Sequence, residues 1–241
     1  MTSTALVETL GLVKSYRRGP ETVHALVDVS FSLRPAELVA LVGPSGSGKT
    51  TLLNVMAGWE VADSGSLLWE GGSFDPARLP WSDLAVVPQR LGLLDELSLA
   101  ENVGLPLRLG AQGVDPLRAN ELLRQLGLIE LGQRRPSETS LGEQQRTALA
   151  RALVLTPRLL LADEPVGHQD EASAERVFAA LQDATARGTC CLVATHSRAT
   201  LRFCDRALRV DDGRVEPLPL ATPRRGPGRF LEGDLDRARE V

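Results

Sequence analysis

The stretch "GPSGSGKT", residues 43–50, constrains this chain more than any other feature of the sequence. It follows a short apolar run, "ELVALV", and precedes the helix-like segment "TLLNVMAGW". The pattern G-x-x-x-x-G-K-[ST] is matched at Gly43, Gly48, Lys49 and Thr50, in the strand–loop–helix setting that it requires. Glycines let backbone N–H groups approach phosphate oxygens, and the following helix adds the positive end of its dipole. The pattern therefore predicts a nucleoside triphosphate site.

An acidic partner for this loop is found in "LLLADEP", where Asp163 and Glu164 end an apolar run. Magnesium uses few carboxylates and keeps several waters, so Asp163 and the Thr50 hydroxyl are expected to hold Mg²⁺. Glu164, one residue further, is expected to orient and deprotonate the attacking water. Alone, the pair could be a surface "DE" after a buried strand; beside a phosphate loop it predicts a hydrolytic site.

The order of apolar patterns predicts the fold class. Two alternating stretches within residues 5–34, separated by "RRGPET", predict antiparallel strands. The segments 158–165 and 189–197 are buried-strand candidates with a helical stretch between them, which predicts an α/β fold with a mostly parallel sheet. Residues from about 91 to 138 have leucines at helical spacing, broken at "DP" and "RRPS". The last residues, 219–241, are rich in proline, glycine and arginine, and we expect a flexible tail.

Composition excludes several classes of protein. No apolar run approaches a membrane span, and the N-terminus lacks a secretion signal, so we expect a cytoplasmic chain. A net charge of −4 argues against a nucleic-acid binder. The cysteines Cys190, Cys191 and Cys204 suit neither a disulfide framework nor a metal pair, and buried thiols are expected.

Over residues 5–216 the chain resembles the nucleotide-binding subunits of ATP-binding cassette (ABC) transporters. The resemblance rests on motifs in the family's order: "GPSGSGKT", "VVPQ" ending in Gln89, "SLGEQQR", "LLLADEP", "GHQD" ending in Asp170 and "ATHS" ending in His196. It implies a RecA-like P-loop NTPase core, an N-terminal antiparallel β subdomain and an α-helical subdomain inserted at about 90–150. The cassette would span residues 1–218.

The resemblance also implies roles, with ATP and Mg²⁺ as ligands. Tyr16 would stack on adenine, a contact worth roughly 1–3 kcal/mol, although a strand-end aromatic in the core is the plainer alternative. The metal would be held by Thr50, Gln89 and Asp163, and catalysis would use Glu164, His196 and Gln89. ATP would also contact Gly43, Pro44, Ser45, Gly46, Ser47, Gly48, Lys49, Thr50, Thr51, Ser140, Gly142, Glu143 and Asp170. His24 and His168 match no family role and are expected to be structural or solvated.

The implied partners are a second copy of the chain and a separate membrane permease. Two copies would close head to tail over two ATP molecules, the motif at 140–144 of one facing the phosphates held by the other. The stretch "LGLLDELSLAENVGLPLRLG" after Gln89 resembles the subgroup serving lipoprotein release, macrolide or peptide export and cell division. The segment from about 90 to 106 would form much of the groove for the permease. The cassette would then lie on the inner face of the cell membrane. A signalling role without transport is equally compatible.

Three positions depart from the family's pattern. Ala36 replaces a glycine that is usual in the family, and we expect this change to cost little stability. Gln169 replaces a usual apolar residue, and we expect weaker packing there. Leu141 replaces a glycine in "TSLGEQQR". Ser140 and Glu143 form S-x-x-E, a capping box, before a helical stretch. This places Leu141 at the first helical position, where leucine is unstrained, and the altered signature is predicted to work. On the plainer interpretation the segment is only a helix start.

Overall fold

The computed structural model describes residues 5–109, 117–167 and 169–220, within which ten strands and five α-helices are found. The strands are β1 (Val7–Arg18), β2 (Glu21–Leu33), β3 (Leu38–Val42), β4 (Ser64–Trp69), β5 (Gly72–Ser73), β6 (Leu84–Val87), β7 (Leu159–Asp163), β8 (Cys190–Thr195), β9 (Arg206–Asp211) and β10 (Arg214–Leu218). The helices are α1 (Lys49–Met56), α2 (Leu99–Arg108), α3 (Leu117–Gln125), α4 (Leu141–Leu153) and α5 (Glu171–Ala186).

The core is a six-stranded sheet in the order β10-β9-β3-β8-β7-β6, in which every neighbouring pair is parallel except β10 with β9. Its central strands are buried on both faces. Alternate residues of β3 enter different cores: Leu38, Ala40 and Val42 face the helices α2 to α5, while Val39 and Leu41 face α1 and the N-terminal strands. This explains why these strands are continuous apolar runs. The expected α/β fold with a mostly parallel sheet is confirmed.

A second sheet has the order β2-β1-β4-β5, and its pairs are antiparallel. The hairpin of β1 and β2 closes with Arg18 opposite Glu21, at the turn that "RRGPET" predicts. Sequence patterns did not predict β4, β5, β6, β9 and β10. The β9–β10 hairpin could have been found, because Asp212 and Gly213 form its two-residue loop with φ values of 44° and 76°. Such an Asp-Gly pair is a strong hairpin signal.

The helical subdomain contains α2, α3 and the start of α4, as the leucine spacing predicts. Residues between Gln89 and Ser98 are not helical, because the buried amide of Asn102 binds their backbone instead. Its Nδ2 donates to the carbonyls of Leu94 and Leu97 at 3.0 and 3.2 Å, and its Oδ1 accepts from the Leu94 N–H at 2.8 Å. The break expected at "RRPS" contains a 3₁₀ turn, Pro136–Glu138.

Some predictions lie outside the described residues: the break at "DP" (115–116), His168 and, from residue 221 onward, the flexible tail. None of the described helices is long and apolar enough to cross a membrane. All three cysteines are buried thiols and none of them forms a disulfide, as expected. Burial raises the pKa of Cys190 to about 12, so this thiol is unreactive at neutral pH.

Ala36 adopts a left-handed backbone conformation, with φ of 56°, in the exposed turn before β3. This conformation costs a non-glycine residue about 1–2 kcal/mol, which is more than the little cost expected from the sequence. We therefore predict that Ala36→Gly raises the free energy of unfolding by about 1 kcal/mol and the midpoint of thermal unfolding by about 2–4 °C. Ala119→Gly, within α3, is the control and should be destabilising because glycine weakens a helix. Urea titrations followed by circular dichroism would measure both, and an unchanged or less stable Ala36→Gly protein would contradict the prediction.

Candidate active site

The predicted motifs follow four neighbouring strands of the core sheet and lie at the same edge of it. The strands β3, β8, β7 and β6 are adjacent and parallel, so their carboxyl ends meet. The register pairs Val42 with Thr195 and Asp163 with Ala194, which puts the start of the phosphate loop, Asp163 and the residues after β8 side by side. Ligand sites of open α/β sheets lie at this edge.

The phosphate loop is closely packed and leaves little room for side chains. Gly48 has φ of 109°, and a Cβ there would lie 2.3 Å from the Ala25 carbonyl oxygen. A Cβ at Gly43 would lie 2.7 Å from Ser47 Oγ, a buried hydroxyl with no hydrogen-bond partner in the part of the chain that the structure describes. Lys49 is also buried, and its Nζ donates to the carbonyls of Gly43 and Pro44 at 2.8 and 2.9 Å. An unpaired hydroxyl and an enclosed ammonium in one glycine-rich loop fit an anionic ligand.

Thr50 and Asp163 join the loop to the next motif. The Thr50 hydroxyl donates to Asp163 Oδ2 at 2.7 Å. Burial raises the pKa of Asp163, and the nearby Glu164 charge raises it further, while Thr50 and Lys49 act in the opposite direction. A cation would relieve this desolvation, and a hydroxyl with a carboxylate is a donor set that Mg²⁺ accepts. These residues fit the expected metal.

Glu164 and His196 are in direct contact. His196 Nδ1 lies 2.9 Å from Glu164 Oε1, and the second carboxylate oxygen, Oε2, is buried with no hydrogen-bond partner among the described residues. Glu164 has φ of 52°, a left-handed conformation that costs a non-glycine residue about 1–3 kcal/mol. The Glu164 N–H donates to the Ala194 carbonyl at 3.0 Å, which holds this backbone against β8. A carboxylate held in a strained position with one free oxygen can accept a proton from water.

Tyr16 lies on β1 and reaches α1 and the loop behind it. Its hydroxyl is bonded to a carboxylate oxygen of Glu60 and lies 3.5 Å from Thr51 Oγ1. Burial raises the pKa of Tyr16, and the bond to Glu60 adds to this rise. The ring is 37% exposed, so it is not a core aromatic. Glu60, which also accepts from Asn54 Nδ2 at 2.8 Å, is a residue that sequence patterns missed because no motif marks it.

An open cleft of about 600 Å³ lies between β1, β2 and the phosphate loop. Val13, Val23, His24 and Gly46 are among the residues that line it. His24 Nδ1 lies 2.9 Å from Ser15 Oγ, so this histidine, for which we expected only a structural or solvated role, borders the cleft.

The stretch "TSLGEQQR", residues 139–146, is called the signature segment below, and it caps α4 as its sequence predicts. Ser140 is the N-cap, its N–H donates to Glu143 Oε2 at 2.7 Å and its Oγ accepts from the Glu143 N–H at 3.4 Å. The bond from Ser140 lowers the pKa of Glu143. Leu141 is the first residue of the helix and is half exposed. The predicted capping box and the position of Leu141 are confirmed, so the leucine is not strained.

Asp170 is the N-cap of α5, and its carboxylate accepts from the Ser173 N–H at 2.7 Å, which lowers the pKa of Asp170.

The expectation of weaker packing at the preceding residue, Gln169, is wrong. Gln169 does not leave a gap, because its amide contacts Gln145, Arg146 and the Pro165 carbonyl. A polar contact has replaced the expected weak packing.

The predicted residues therefore fall into separate groups. Lys49, Thr50, Asp163, Glu164 and His196 form one cluster at the sheet edge. Gln89 follows β6 on the same edge and is exposed. Among the described residues, Ser140 and Glu143 bond to each other and not to this cluster.

An apolar groove of about 410 Å³ runs beside the helical subdomain. Its lining includes Trp59, Trp81, Leu91, Leu105, Pro106 and Arg151. Both tryptophans are more than half exposed, and an exposed aromatic pair usually marks an interaction surface. Sequence patterns pointed to the segment 90–106 but missed the tryptophans, because an exposed and a buried tryptophan look alike in a sequence.

Solved structures and a family model resemble this chain. The model of the ABC transporter family matches residues 26–167, more than half of the chain. The ATP-binding cassette MJ0796, in a dimeric post-hydrolysis state bound to ADP and Pi, is 30% identical with a TM-score of 0.79, over 89% of this chain and 99% of that one. A second dimeric structure of MJ0796, described as a bacterial ABC transporter cassette, is 29% identical with a TM-score of 0.81 and the same coverage. The ADP conformation of MJ1267, a cassette of an ABC transporter, is 25% identical with a TM-score of 0.70, over 88% of this chain and 89% of that one.

The residues matched by the family model include the phosphate loop, Gln89, residues 139–146 and Asp163–Glu164. The cassettes extend the likeness over most of the remaining chain. The protein therefore belongs to the ABC transporter family, as a cassette that binds and hydrolyses ATP.

Proposed function

We propose that this ATPase drives a membrane transport complex of the export or extrusion type, as a homodimer bound to a separate permease on the inner face of the cell membrane. The observation that carries the proposal is the exposed tryptophan groove beside residues 91–106. The dimeric form of the related MJ0796 cassette supports the homodimer.

The groups of the active site argue for a composite dimer. The loop and the sheet edge supply cations, a hydroxyl and carboxylates on one side of a phosphate chain. The N–H groups of the first turn of α4 have no intrahelical acceptors and would favour an anion. In a head-to-tail pair, this turn of one copy covers the γ-phosphate held by the other, with Asp170 at the seam. Adenine then stacks on Tyr16, and its ribose lies toward the cleft beside Gly46.

Hydrolysis follows from the residues at the sheet edge. Lys49 binds the terminal phosphates and holds charge there, and Glu164 accepts a proton from the attacking water. The water oxygen bonds to the γ-phosphorus while the bond to the bridging oxygen breaks, leaving ADP and phosphate. His196 keeps the Glu164 carboxylate in place and contacts the γ-phosphate. Thr50, Asp163 and Gln89 would hold Mg²⁺, which would supply neutralisation of phosphate charge.

The groove is suited to a short amphipathic helix of the permease. Two exposed indoles offer large apolar area, and the half-buried Arg151 is the charged residue among the lining side chains. Arg151 also donates to the carbonyls of Leu91 and Gly92, each at 2.7 Å, so the groove is joined to the helix that begins at the signature. Motion of an occupant could thus reach α4.

This surface gives the test of the proposal. The double variant Trp59→Glu, Trp81→Glu should no longer co-purify with the permease from native membranes. Binding would bury the charges of the two glutamates against an apolar partner. Basal ATPase activity of the isolated protein should stay within about twofold, since neither tryptophan is near the sheet edge. The captured membrane protein must also change ATPase activity when added back. Unaltered co-purification of the double variant would contradict the groove as the docking site.

A signalling complex that moves no substrate is the alternative, because the same ATPase serves both. Reconstituting the identified permease with this protein in liposomes would separate them. ATP-dependent movement of a lipoprotein, peptide or drug supports transport. ATP-dependent change in an outside enzyme, with no movement of any of these, supports signalling.

The altered signature gives a further prediction. Leu141→Gly should change the ATPase rate by less than about threefold, because the right-handed helical position does not need glycine. The Ser140 hydroxyl and the Gly142 backbone remain available in both proteins. Steady-state phosphate release would measure the rate. A many-fold increase in Leu141→Gly would instead identify the natural signature as degenerate.

A further inference from the structure

The hydroxyl of Tyr16 is bonded into a polar cluster beside α1. It contacts one carboxylate oxygen of Glu60 and lies 3.5 Å from Thr51 Oγ1. The other carboxylate oxygen, Glu60 Oε1, accepts from Asn54 Nδ2 at 2.8 Å. Thr51 and Asn54 both belong to α1, the helix that begins at Lys49 in the phosphate loop. The Tyr16 ring is therefore attached, through Glu60, to the helix that starts at the phosphate loop.

Glu60 has the chemistry that this place requires. An ionised carboxylate accepts hydrogen bonds and donates none, and Glu60 accepts from two donors, Tyr16 and Asn54. Burial raises the pKa of Tyr16, so its hydroxyl keeps the proton near neutral pH and acts as the donor. A bond to a charged acceptor is stronger than one between neutral groups. Because the Tyr16 ring is 37% exposed, this bond is more important for its orientation than packing is.

A separate set of bonds fixes the backbone beside Tyr16. The Ser15 N–H donates to Asp63 Oδ2 at 2.7 Å, and Lys14 Nζ donates to the Val61 carbonyl at 2.7 Å. These bonds tie the end of β1 to the loop after α1 without using the tyrosine hydroxyl. Loss of the hydroxyl bond would therefore release the ring about its own side-chain torsions, while the strand stays in place.

Lys14 also determines which face of the ring is available to a base. Its ammonium lies over the Tyr16 ring, 5.6 Å from the ring centroid, within the range of a cation–π contact. The Lys14 side chain is only 17% exposed. A base can then stack on the opposite face, provided that the ring keeps this orientation. A ring that turned away would present its edge to the base.

We propose that Glu60 is a positioning residue for ATP binding, which holds the Tyr16 ring in the orientation that stacks on adenine. The inference rests on the contact of adenine with Tyr16 in the proposed function. The phosphate loop binds one end of the nucleotide, and the Glu60 bond sets the ring relative to α1 before ATP arrives. A side chain that is already ordered loses less conformational entropy on binding, so ATP binds more tightly.

Two substitutions break this bond from opposite sides. Glu60→Leu removes the acceptor, and Tyr16→Phe removes the donor but keeps the ring. Each should raise the KM for ATP by about 3- to 10-fold, the effect of losing one hydrogen bond. The kcat should change by less than about twofold, because the lost contact stabilises the ground state and the transition state equally. The double variant should be no weaker than either single variant, since both remove the same interaction. Glu60→Gln keeps a carbonyl acceptor and should recover most of the affinity.

Tripolyphosphate separates a role toward the base from a structural role, because it has the phosphates of ATP but no base. Its inhibition constant against ATP hydrolysis should be the same in the natural protein and in Glu60→Leu. Glu130→Leu makes the same chemical change at an exposed glutamate of the helical subdomain and should leave KM and kcat unaltered. Each variant is assayed at a temperature at which circular dichroism shows it folded. A natural KM in Glu60→Leu, or equal weakening for ATP and tripolyphosphate, would overturn the proposal.

Tyr16→Ala distinguishes failure of this inference from failure of the proposed base contact. Removing the ring should raise the KM for ATP by about 5- to 140-fold, the range for one stacked base. A natural KM in Tyr16→Ala would overturn the adenine contact of the proposed function, and the role of Glu60 with it. A raised KM in Tyr16→Ala, with natural values in both Glu60→Leu and Tyr16→Phe, would overturn the role of Glu60 alone.

Discussion

Glu164→Gln is expected to lower the rate of ATP hydrolysis by about 10²–10⁴-fold while the protein still binds ATP. The amide has nearly the shape of the carboxylate but cannot accept the proton of the attacking water. The substitution leaves Lys49 in the phosphate loop and the bond from Thr50 to Asp163 unaltered, so the groups expected to bind the phosphates and the metal remain in place. ATP should therefore accumulate uncleaved.

The same variant should form a stable dimer with ATP, and not with ADP. Size-exclusion chromatography with light scattering would show the doubled mass, and phosphate release would show the lost turnover. Glu130→Gln, an exposed glutamate remote from the sheet edge, is the matched control and should behave as the natural protein. A Glu164→Gln protein that stays monomeric with ATP and hydrolyses it normally would exclude both the catalytic base and the composite site.

Lys49→Met is expected to weaken ATP binding by about 10- to 100-fold, the range for losing hydrogen bonds to a charged group. Methionine has a similar length but no charge and no donor, whereas Lys49 Nζ is buried in the loop with two carbonyl acceptors. Neither dimer nor turnover should be detectable at ATP concentrations that saturate the natural protein. Isothermal titration with ATP in the presence of Mg²⁺ would measure the affinity.

Lys49→Arg serves as the comparison for Lys49→Met. It keeps the charge but places a planar fork in an enclosed loop, so binding should recover only in part. Together, Lys49→Met and Glu164→Gln separate ATP binding from ATP hydrolysis. Lys49→Met should form no dimer, whereas Glu164→Gln should accumulate the ATP-bound dimer. If Lys49→Met bound ATP as tightly as the natural protein, Lys49 would not contact the phosphates.

Much of the active site could be predicted from the sequence because its motifs are local. A loop between a buried strand and a helix, or a carboxylate pair at the end of an apolar run, has the same neighbours in almost any packing. Parallel strands then bring those loops to one edge, since their carboxyl ends point the same way. The capping box at Ser140 is equally local, which is why the position of Leu141 followed from four residues.

Contacts between distant segments could not be predicted in this way. The Tyr16 bond to Glu60 joins β1 to the loop after α1, and the tryptophan groove gathers side chains from segments far apart in the chain. Nothing in the sequence near Gln169 indicates that two further polar side chains lie beside it, so an apolar-to-polar change suggested a defect. The same limit applies to Ala36, whose left-handed backbone is set by the turn into β3.

The sequence by itself determined the family, the order of the motifs and the residues able to bind phosphate or take a proton, because these depend on residue type and short spacing. Only the tertiary structure decided that Glu164 is held at a positive φ against β8 with one oxygen free, and that Gln169 bonds the signature helix to the loop following Glu164. Both features arise from packing between elements that are remote in the chain, where backbone conformation and polar partners are set by neighbours in space.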